Sequence, residues 1–198
     1  MKKFVILPLL MIVILSCASI AGKKELTAVP QSAYGPAVSQ DKGYLVEEIG
    51  SGLYWVTEGA YQVMFLTTGE GVILIDAPPT IGEKVLQAVA DVTDEPITHV
   101  IYSHSHADHI GAAAIYPKGA VIIAHEDTKA QLEKATSKNR LFPFGIFVGG
   151  SAPPLPTVTF TDRYELTVGS QTLILDYHGV NHEPGNIFVY APKQKVLM

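Results

Sequence analysis

Cysteine and charge are both scarce in this 198-residue sequence, and each scarcity excludes a class of protein. Cys17 is the only cysteine, so no disulfide can form within the chain and no thiolate beyond position 17 can ligate a metal. Charged residues make up 17% of the sequence and the formal net charge is −5. A basic surface for nucleic acid is therefore missing, and we expect no nucleic-acid partner. The length suits one domain with a sizeable core.

The N-terminus has the pattern of a signal peptide, which we predict over residues 1–21. Lys2 and Lys3 supply the positive region, residues 4–15 are apolar apart from Pro8, and small residues follow up to Ala21. The apolar core is short for a membrane-spanning helix, although an uncleaved anchor is the alternative. We therefore expect export to the periplasm or cell envelope.

Two kinds of cleavage fit this segment. Cys17 follows Leu15 and Ser16 in an order that resembles a bacterial lipoprotein box, which would tether the chain to a membrane through a lipid. Ordinary cleavage after Ala21 is the alternative. Residues 22–42 are small and polar, contain Pro30 and Pro36, and predict a flexible tether ahead of a domain over residues 43–198.

Within that domain the pattern predicts an α/β fold, because strands are followed by alternating strands and helices and then by strands again. The predicted strands are 44–49, 53–57, 61–67, 71–75, 99–103, 120–124, 157–160, 164–168, 172–177, 186–190 and 195–198. The predicted helices are 80–92, capped by Thr80, 110–116 and 125–135. Residues 139–156 are rich in phenylalanine, glycine and proline, which indicates a long apolar loop that could close over a substrate.

The most informative segment is His104-Ser105-His106-Ala107-Asp108-His109. Imidazole nitrogens and a carboxylate are the ligands that Zn²⁺ prefers. If Tyr102 ends a strand, residues two apart point the same way, so His104, His106 and Asp108 would face one space while His109 begins a helix. Asp108 as a simple helix N-cap is the alternative. The crowding of these groups favours a metal site.

This motif, together with Asp76 upstream and the segment 181–186 (Asn-His-Glu-Pro-Gly-Asn) downstream, resembles the metallo-β-lactamase superfamily. The order and separations match over roughly residues 44–198. The resemblance implies a four-layer αβ/βα fold, in which two packed mixed sheets are flanked by helices. It also implies a C-terminally truncated domain, because the family continues past Met198 with further ligands, and a longer parent is then expected to be more active.

The resemblance places metal ligands residue by residue. His104, His106 and His182 match a tris-imidazole zinc site, and Asp108 and His109 match a second site that would be incomplete here. One or two Zn²⁺ ions per chain are implied. Three imidazoles leave a coordination position open for water, which suits catalysis. The family often has an acidic residue at the position of His106 in its di-iron oxidoreductases, which makes that branch a poor match.

Several other residues have more than one interpretation. Asp76 matches an aspartate that orients a ligand histidine or its loop, in support of catalysis by Asp108, with a turn-forming aspartate as the alternative. His178 competes weakly with His182 as the third imidazole. We interpret His125 as a cap-region histidine, with a role beside the metal ligands as the alternative, and His99 as structural.

The predicted function is an exported metal-dependent hydrolase that acts on a carbonyl bond of a small molecule: an amide, lactam, thioester or lactone. A true metallo-β-lactamase is the alternative within this class. The alternative of another class is a non-catalytic or redox-relay metal-binding protein of the envelope that reuses the fold. We expect a monomer.

Overall fold

The computed structural model describes residues 27–30, 33–137 and 152–198. The predicted signal peptide, Cys17, part of the tether and most of the apolar loop 139–156 lie outside these residues. The chain separates into two units, Met1–Pro36 and Ala37–Met198. In the first unit, Ala33 N–H donates to the Pro30 carbonyl, and Tyr34 is exposed. No helix in the described part of the chain has both the length and the apolar character of a membrane span.

The first sheet has seven strands within the described residues, in the order β1 to β7. Strands β1 to β4 form consecutive antiparallel hairpins, as the glycine-rich connections predict, and β4 to β7 run parallel. Strand β4 is buried at every position, as expected for a central strand covered on both faces. The bounds are β1 Leu45–Gly50, β2 Leu53–Thr57, β3 Gln62–Thr67, β4 Val72–Ile75, β5 Ile97–Ile101, β6 Val121–His125 and β7 Val158–Phe160.

The second sheet is antiparallel throughout the described residues, with the order β11-β10-β9-β8. Along β9 buried and half-buried residues alternate, since one face of the strand packs on the core and the other does not. The connection between β9 and β10 carries His182. The bounds are β8 Arg163–Val168, β9 Gln171–Asp176, β10 Phe188–Ala191 and β11 Val196–Leu197.

Three α-helices and one 3₁₀-helix lie within the described residues: α1 Lys84–Ala90, α2 Ala107–Ile110, α3 Glu126–Ser137 and the 3₁₀-helix Ala113–Ile115. Their buried side chains pack on one face of the first sheet, where Val85, Ile110 and Leu132 join its core. The opposite face of that sheet packs on the second sheet, for example through Ile73 and Leu175. The described residues thus form three of the four layers that the family resemblance implies: the helices, the first sheet and the second sheet.

Two predicted helices have different bounds in the structure. The helix predicted over 80–92 begins only at Lys84, and Glu83 rather than Thr80 precedes it. A turn takes the place of the first residues, because Ile81 and Gly82 both donate to the Pro78 carbonyl. The helix predicted over 110–116 is split into α2 and the 3₁₀-helix, with Gly111 and Ala112 between them.

Candidate metal centre

The histidine motif follows β5, but its backbone is not the extended strand that the sequence suggested. Strand β5 ends at Ile101, and α2 begins at Ala107 with His106 as its N-cap residue. Asp108 therefore lies inside the first turn of a helix, and the interpretation of Asp108 as an N-cap is wrong. His104 and His106 thus lie in the short loop after β5, and Asp108 lies in α2, the helix that follows this loop.

Three imidazoles converge at the ends of the two sheets. His104 and His106 come from the loop after β5, and His182 comes from the connection between β9 and β10. One ring nitrogen from each histidine lies within 4.8 Å of the others. The ring of His182 is 5.1 Å from that of His104 and 4.9 Å from that of His106. The structure thus brings together three sequence-predicted ligands from two distant segments.

His104 offers a buried lone pair to this space. The side-chain hydroxyl of Ser103 donates to Asp76 Oδ2 at 2.6 Å, so Ser103 Oγ can only accept from His104 Nδ1–H, at 2.9 Å. This leaves His104 Nε2 deprotonated, buried and without a hydrogen-bond partner among the residues that the structure describes. Burial lowers the pKa of His104 to about 4, which keeps the ring neutral. A buried nitrogen of this kind is the expected state of a metal ligand.

The other two imidazoles are spaced as ligands of one ion. His182 Nε2 lies 3.2 Å from His106 Nδ1. Two nitrogens that bind one tetrahedral Zn²⁺ at 2.0–2.1 Å are separated by about 3.3 Å. Together with the orphaned Nε2 of His104, this spacing shows that the residues present fit a divalent metal.

Asp108 and His109 lie close to the three imidazoles but do not belong to the three-histidine cluster. The His109 ring is 4.3 Å from the His104 ring, and its Nε2 is 3.9 Å from Asp108 Oδ2. The contact with Asp76 raises the pKa of His109 in spite of burial. Burial opposes ionisation of Asp108, but the hydrogen bond from Tyr61 and the neighbouring histidines lower its pKa overall.

Asp76 is the buried support of the loop after β5. Its Oδ1 accepts from Ser103 N–H at 2.7 Å, and its Oδ2 also lies 3.4 Å from His109 Nδ1. Its φ of 62° places it in the left-handed region, which aspartate tolerates better than most residues. Its own carbonyl accepts from the Tyr116 hydroxyl at 2.7 Å. Asp76 thus orients the segment that carries the histidines, and it does so through Ser103.

The remaining histidines lie elsewhere. The ring of His178 is tilted against that of Phe188, with centroids 5.6 Å apart, and His182 rather than His178 reaches the cluster. His125 accepts from Asp127 N–H at 3.1 Å and contacts the Thr161 carbonyl, so it caps the start of α3. His99 contacts Thr98 within β5, and burial lowers the pKa of its ring.

Three contributors were not identified from the sequence. Tyr61 donates to Asp108 Oδ2 at 2.8 Å from the connection between β2 and β3. Ser103 links Asp76 to His104, and Glu183 contacts His106. Ser103 and Glu183 could have been found from their positions next to predicted ligand histidines, whereas Tyr61 is remote in sequence and had no such signal.

The comparison with known families is decisive. A family model described as the metallo-beta-lactamase superfamily matches residues 56–198. The chain belongs to this superfamily. The resemblance drawn from the sequence is thereby confirmed, and so is the α/β metallo-β-lactamase fold. Membership and the three-histidine cluster together indicate a divalent metal in this member of the superfamily.

Individual members of the superfamily are distant relatives. The chain is 24% identical over 166 residues to the 2,4-dinitroanisole O-demethylase subunit alpha of Nocardioides sp. (strain JS1661), covering 82% of this chain and 47% of the relative. It is 26% identical over 152 residues to metallo-beta-lactamase IND-1 of Chryseobacterium indologenes, covering 74% and 56%. The chain thus spans about half the length of the curated relatives it matches.

Among solved structures, the metallo-beta-lactamase IND-7 structure superimposes with a TM-score of 0.61 at 22% identity, covering 78% of this chain and 69% of that one. The subclass B3 metallo-beta-lactamase BJP-1 of Bradyrhizobium japonicum gives a TM-score of 0.61 at 23% identity, covering 74% and 56%. At this low sequence identity, the superpositions establish the fold of the chain.

Proposed function

We propose that this superfamily member is an exported, zinc-dependent hydrolase that attacks a carbonyl bond of a small molecule: an amide or lactam, a thioester or a lactone. The observation that carries the proposal is the convergence of three imidazoles, one of which has a buried Nε2 with no hydrogen-bond partner within the described ranges. Three protein ligands leave a tetrahedral site open to water or substrate, whereas a structural zinc site is closed by four.

The proposed ligands are His104, His106 and His182, with Asp108 and His109 beside them for a second ion. A divalent metal held there would generate a nucleophile from water at neutral pH and polarise the substrate carbonyl. The chain's own residues prepare the site for this chemistry. The hydrogen bond from Ser103 to Asp76 keeps His104 Nε2 free of a proton, and the Tyr61 hydroxyl fixes one oxygen of Asp108.

Asp108 is the proposed proton acceptor of the site. Its carboxylate is partly exposed beside the imidazoles, and its lowered pKa keeps it ionised at neutral pH. An ionised carboxylate in that place can ligate a second ion or hold the proton that water releases, and both roles act on turnover. Asp76 is the proposed positioning residue, because it is buried and reaches the ligands through Ser103.

Export is proposed from the sequence of residues 1–21. Their positive, apolar and small-residue regions occur in the order of a signal peptide. A lipid on Cys17 would hold the enzyme at the envelope, while cleavage after Ala21 would release it. Palmitate labelling of the full chain and of Cys17→Ser in a bacterial host distinguishes these two states.

The proposed class of carbonyl hydrolases contains several candidate substrates. The names of the relatives cover a metallo-beta-lactamase and an O-demethylase, so a test panel needs more than lactams. A chromogenic cephalosporin, an aryl thioester, a lactone and 2,4-dinitroanisole cover the carbonyl classes and one aryl ether. Hydrolysis of the cephalosporin as the best substrate would support a true metallo-β-lactamase.

The deciding experiment combines metal content with this panel. We expect the unaltered chain to bind zinc, and His106→Ala to lose most of that zinc together with turnover. His99→Ala is the matched control, because His99 lies in β5 outside the cluster. Zinc binding without hydrolysis of any substrate would favour a non-catalytic or redox-relay protein. Unchanged zinc stoichiometry in His106→Ala would contradict the assigned site.

A further inference from the structure

Glu183 follows His182 directly, and each of its two carboxylate oxygens has its own partner. Oε1 accepts from the backbone N–H of Ser105 at 2.6 Å, and Oε2 lies 3.0 Å from His106 Nε2. Only 12% of the Glu183 side chain is exposed. The residue therefore joins the loop that carries His182 to the loop that carries His106.

His106 depends on such a partner more than His104 does. Its side chain is 39% exposed, so packing alone does not hold the ring in one orientation. A neutral imidazole carries one proton, on either Nδ1 or Nε2. If Nε2–H donates to Glu183, Nδ1 keeps its lone pair, and Nδ1 is the atom that lies 3.2 Å from His182 Nε2.

We propose that Glu183 is a positioning residue that fixes both the tautomer and the ring orientation of His106 and thereby sets the metal affinity of the site. The inference rests on the proposed metal centre. A carboxylate that accepts the outer N–H of a ligand histidine holds the ring and makes its other nitrogen a stronger ligand. The second bond, to Ser105 N–H, fixes the carboxylate itself relative to the backbone between His104 and His106.

The first test measures Co²⁺ affinity by optical titration of the unaltered chain, Glu183→Ala and Glu183→Gln. Loss of such a partner weakens metal binding by roughly 10- to 100-fold, which we expect for Glu183→Ala. Glu183→Gln should lose less, because its single amide oxygen can still accept one of the two hydrogen bonds. Glu165→Gln, an exposed position on β8, is the matched control and should bind like the unaltered chain.

The second test reports the tautomer directly and needs no metal. Long-range ¹H–¹⁵N spectra of the metal-free chain above pH 8 should show His106 as the single Nε2–H tautomer, and Glu183→Ala should show a mixture. Thermal unfolding of each variant checks folding, and the near-isosteric Glu183→Gln provides a folded variant if Glu183→Ala unfolds. In that case a shifted tautomer population and a weaker affinity in Glu183→Gln support the proposal.

The outcomes separate this inference from the proposed function. If the unaltered chain binds Co²⁺ and the folded Glu183 variants bind equally tightly with the same His106 tautomer, the inference is wrong and the metal centre stands. If the unaltered chain binds no Co²⁺, both are wrong. A tenfold or greater loss of affinity with an altered tautomer in folded variants supports the inference.

Discussion

One buried carboxylate fixes the hydrogen bonding of His104, the first histidine of the cluster. Asp76 accepts two hydrogen bonds from Ser103, and Ser103 in turn accepts from His104. The direction of these bonds decides which nitrogen of His104 is protonated. A change at Asp76 should therefore affect both folding and the ligand nitrogen, although Asp76 does not belong to the three-histidine cluster.

Asp76→Asn tests this arrangement. Asparagine also tolerates the left-handed backbone at this position, so the change removes one acceptor without new strain. We expect a loss of about 1.5–3 kcal/mol in the free energy of unfolding, since a buried hydrogen bond to a charged group is broken, together with weaker metal binding. Urea unfolding of the metal-free chain and a zinc titration measure the two effects. Asp94→Asn, at an exposed position, should change neither.

Asp108 should matter more for turnover than for folding. Asp108→Ala removes the proposed proton acceptor, whereas its hydrogen bond from Tyr61 is partly exposed and should contribute about 1 kcal/mol to stability. Tyr61→Phe keeps the carboxylate and removes only this bond, so its turnover should lie between those of Asp108→Ala and the unaltered chain. Turnover on the best substrate and urea unfolding give the comparison. Unfolding of Asp108→Ala with normal turnover per folded molecule would instead assign Asp108 a structural role.

At the scale of elements, the loop of His182 is seated on the start of α3. The Gly185 carbonyl accepts from the buried Thr128 hydroxyl at 3.1 Å. A Cβ added at Gly185 would lie 2.6 Å from Thr128 N, and the backbone φ there is +89°. Because Gly185 has no side chain, the loop that carries His182 can lie close to the backbone of α3, and this contact fixes the distance between the loop and the helix.

Gly185→Ala should displace this loop and weaken metal binding. Gly179→Ala is the matched control, because Gly179 also has a positive φ, of +83°, but its added Cβ meets no atom of the described part of the chain within 4 Å. In both variants the left-handed backbone should lower the free energy of unfolding by roughly 1–2 kcal/mol. Only Gly185→Ala should lose further stability and also metal affinity, as thermal unfolding and zinc titration would show. Equal effects of the two variants would mean that the contact with Thr128 is unimportant.

The elements also show where sequence patterns suffice. The hairpins of β1 to β4 were predictable because glycine-rich turns separate short apolar runs. The start of α1 was not predictable in this way. Hydrogen bonds to the Pro78 carbonyl form a turn where the sequence predicted a helix capped by Thr80. The histidine pattern predicted that His104 and His106 lie close together, as they do, but it placed Asp108 at the end of a strand rather than in the first turn of a helix.

At the scale of the whole molecule, the site depends on the packing of two sheets. His104 and His106 follow the first sheet, and His182 lies between strands of the second. The proximity of His182 was implied by family resemblance alone, because no local pattern links residues so far apart in sequence. The contacts of Glu183 were missed for the same reason, because its partners belong to the other loop.

A core substitution between the sheets should separate stability from ligand chemistry. Leu175 is fully buried between the sheets, whereas its neighbour Ile174 is on the opposite face of β9 and half-buried. Leu175→Ala should lower the free energy of unfolding by about 2–5 kcal/mol, and Ile174→Ala by clearly less. Both should bind zinc with normal affinity where folded. Chemical denaturation with zinc titration below the transition tests this, and equal destabilisation would contradict the assigned packing.

The distance along the chain between the ligands gives the site a place in the order of folding. His104 and His106 are neighbours in sequence, but His182 lies 76 residues beyond His106. Closing so long a loop is slow and entropically costly, so non-local contacts of this kind form late. An ion added to the unfolded chain would meet two imidazoles at once and the third only after both sheets have assembled. During refolding, tight metal binding should therefore appear only when one sheet docks onto the other, and the time of its appearance would measure that step.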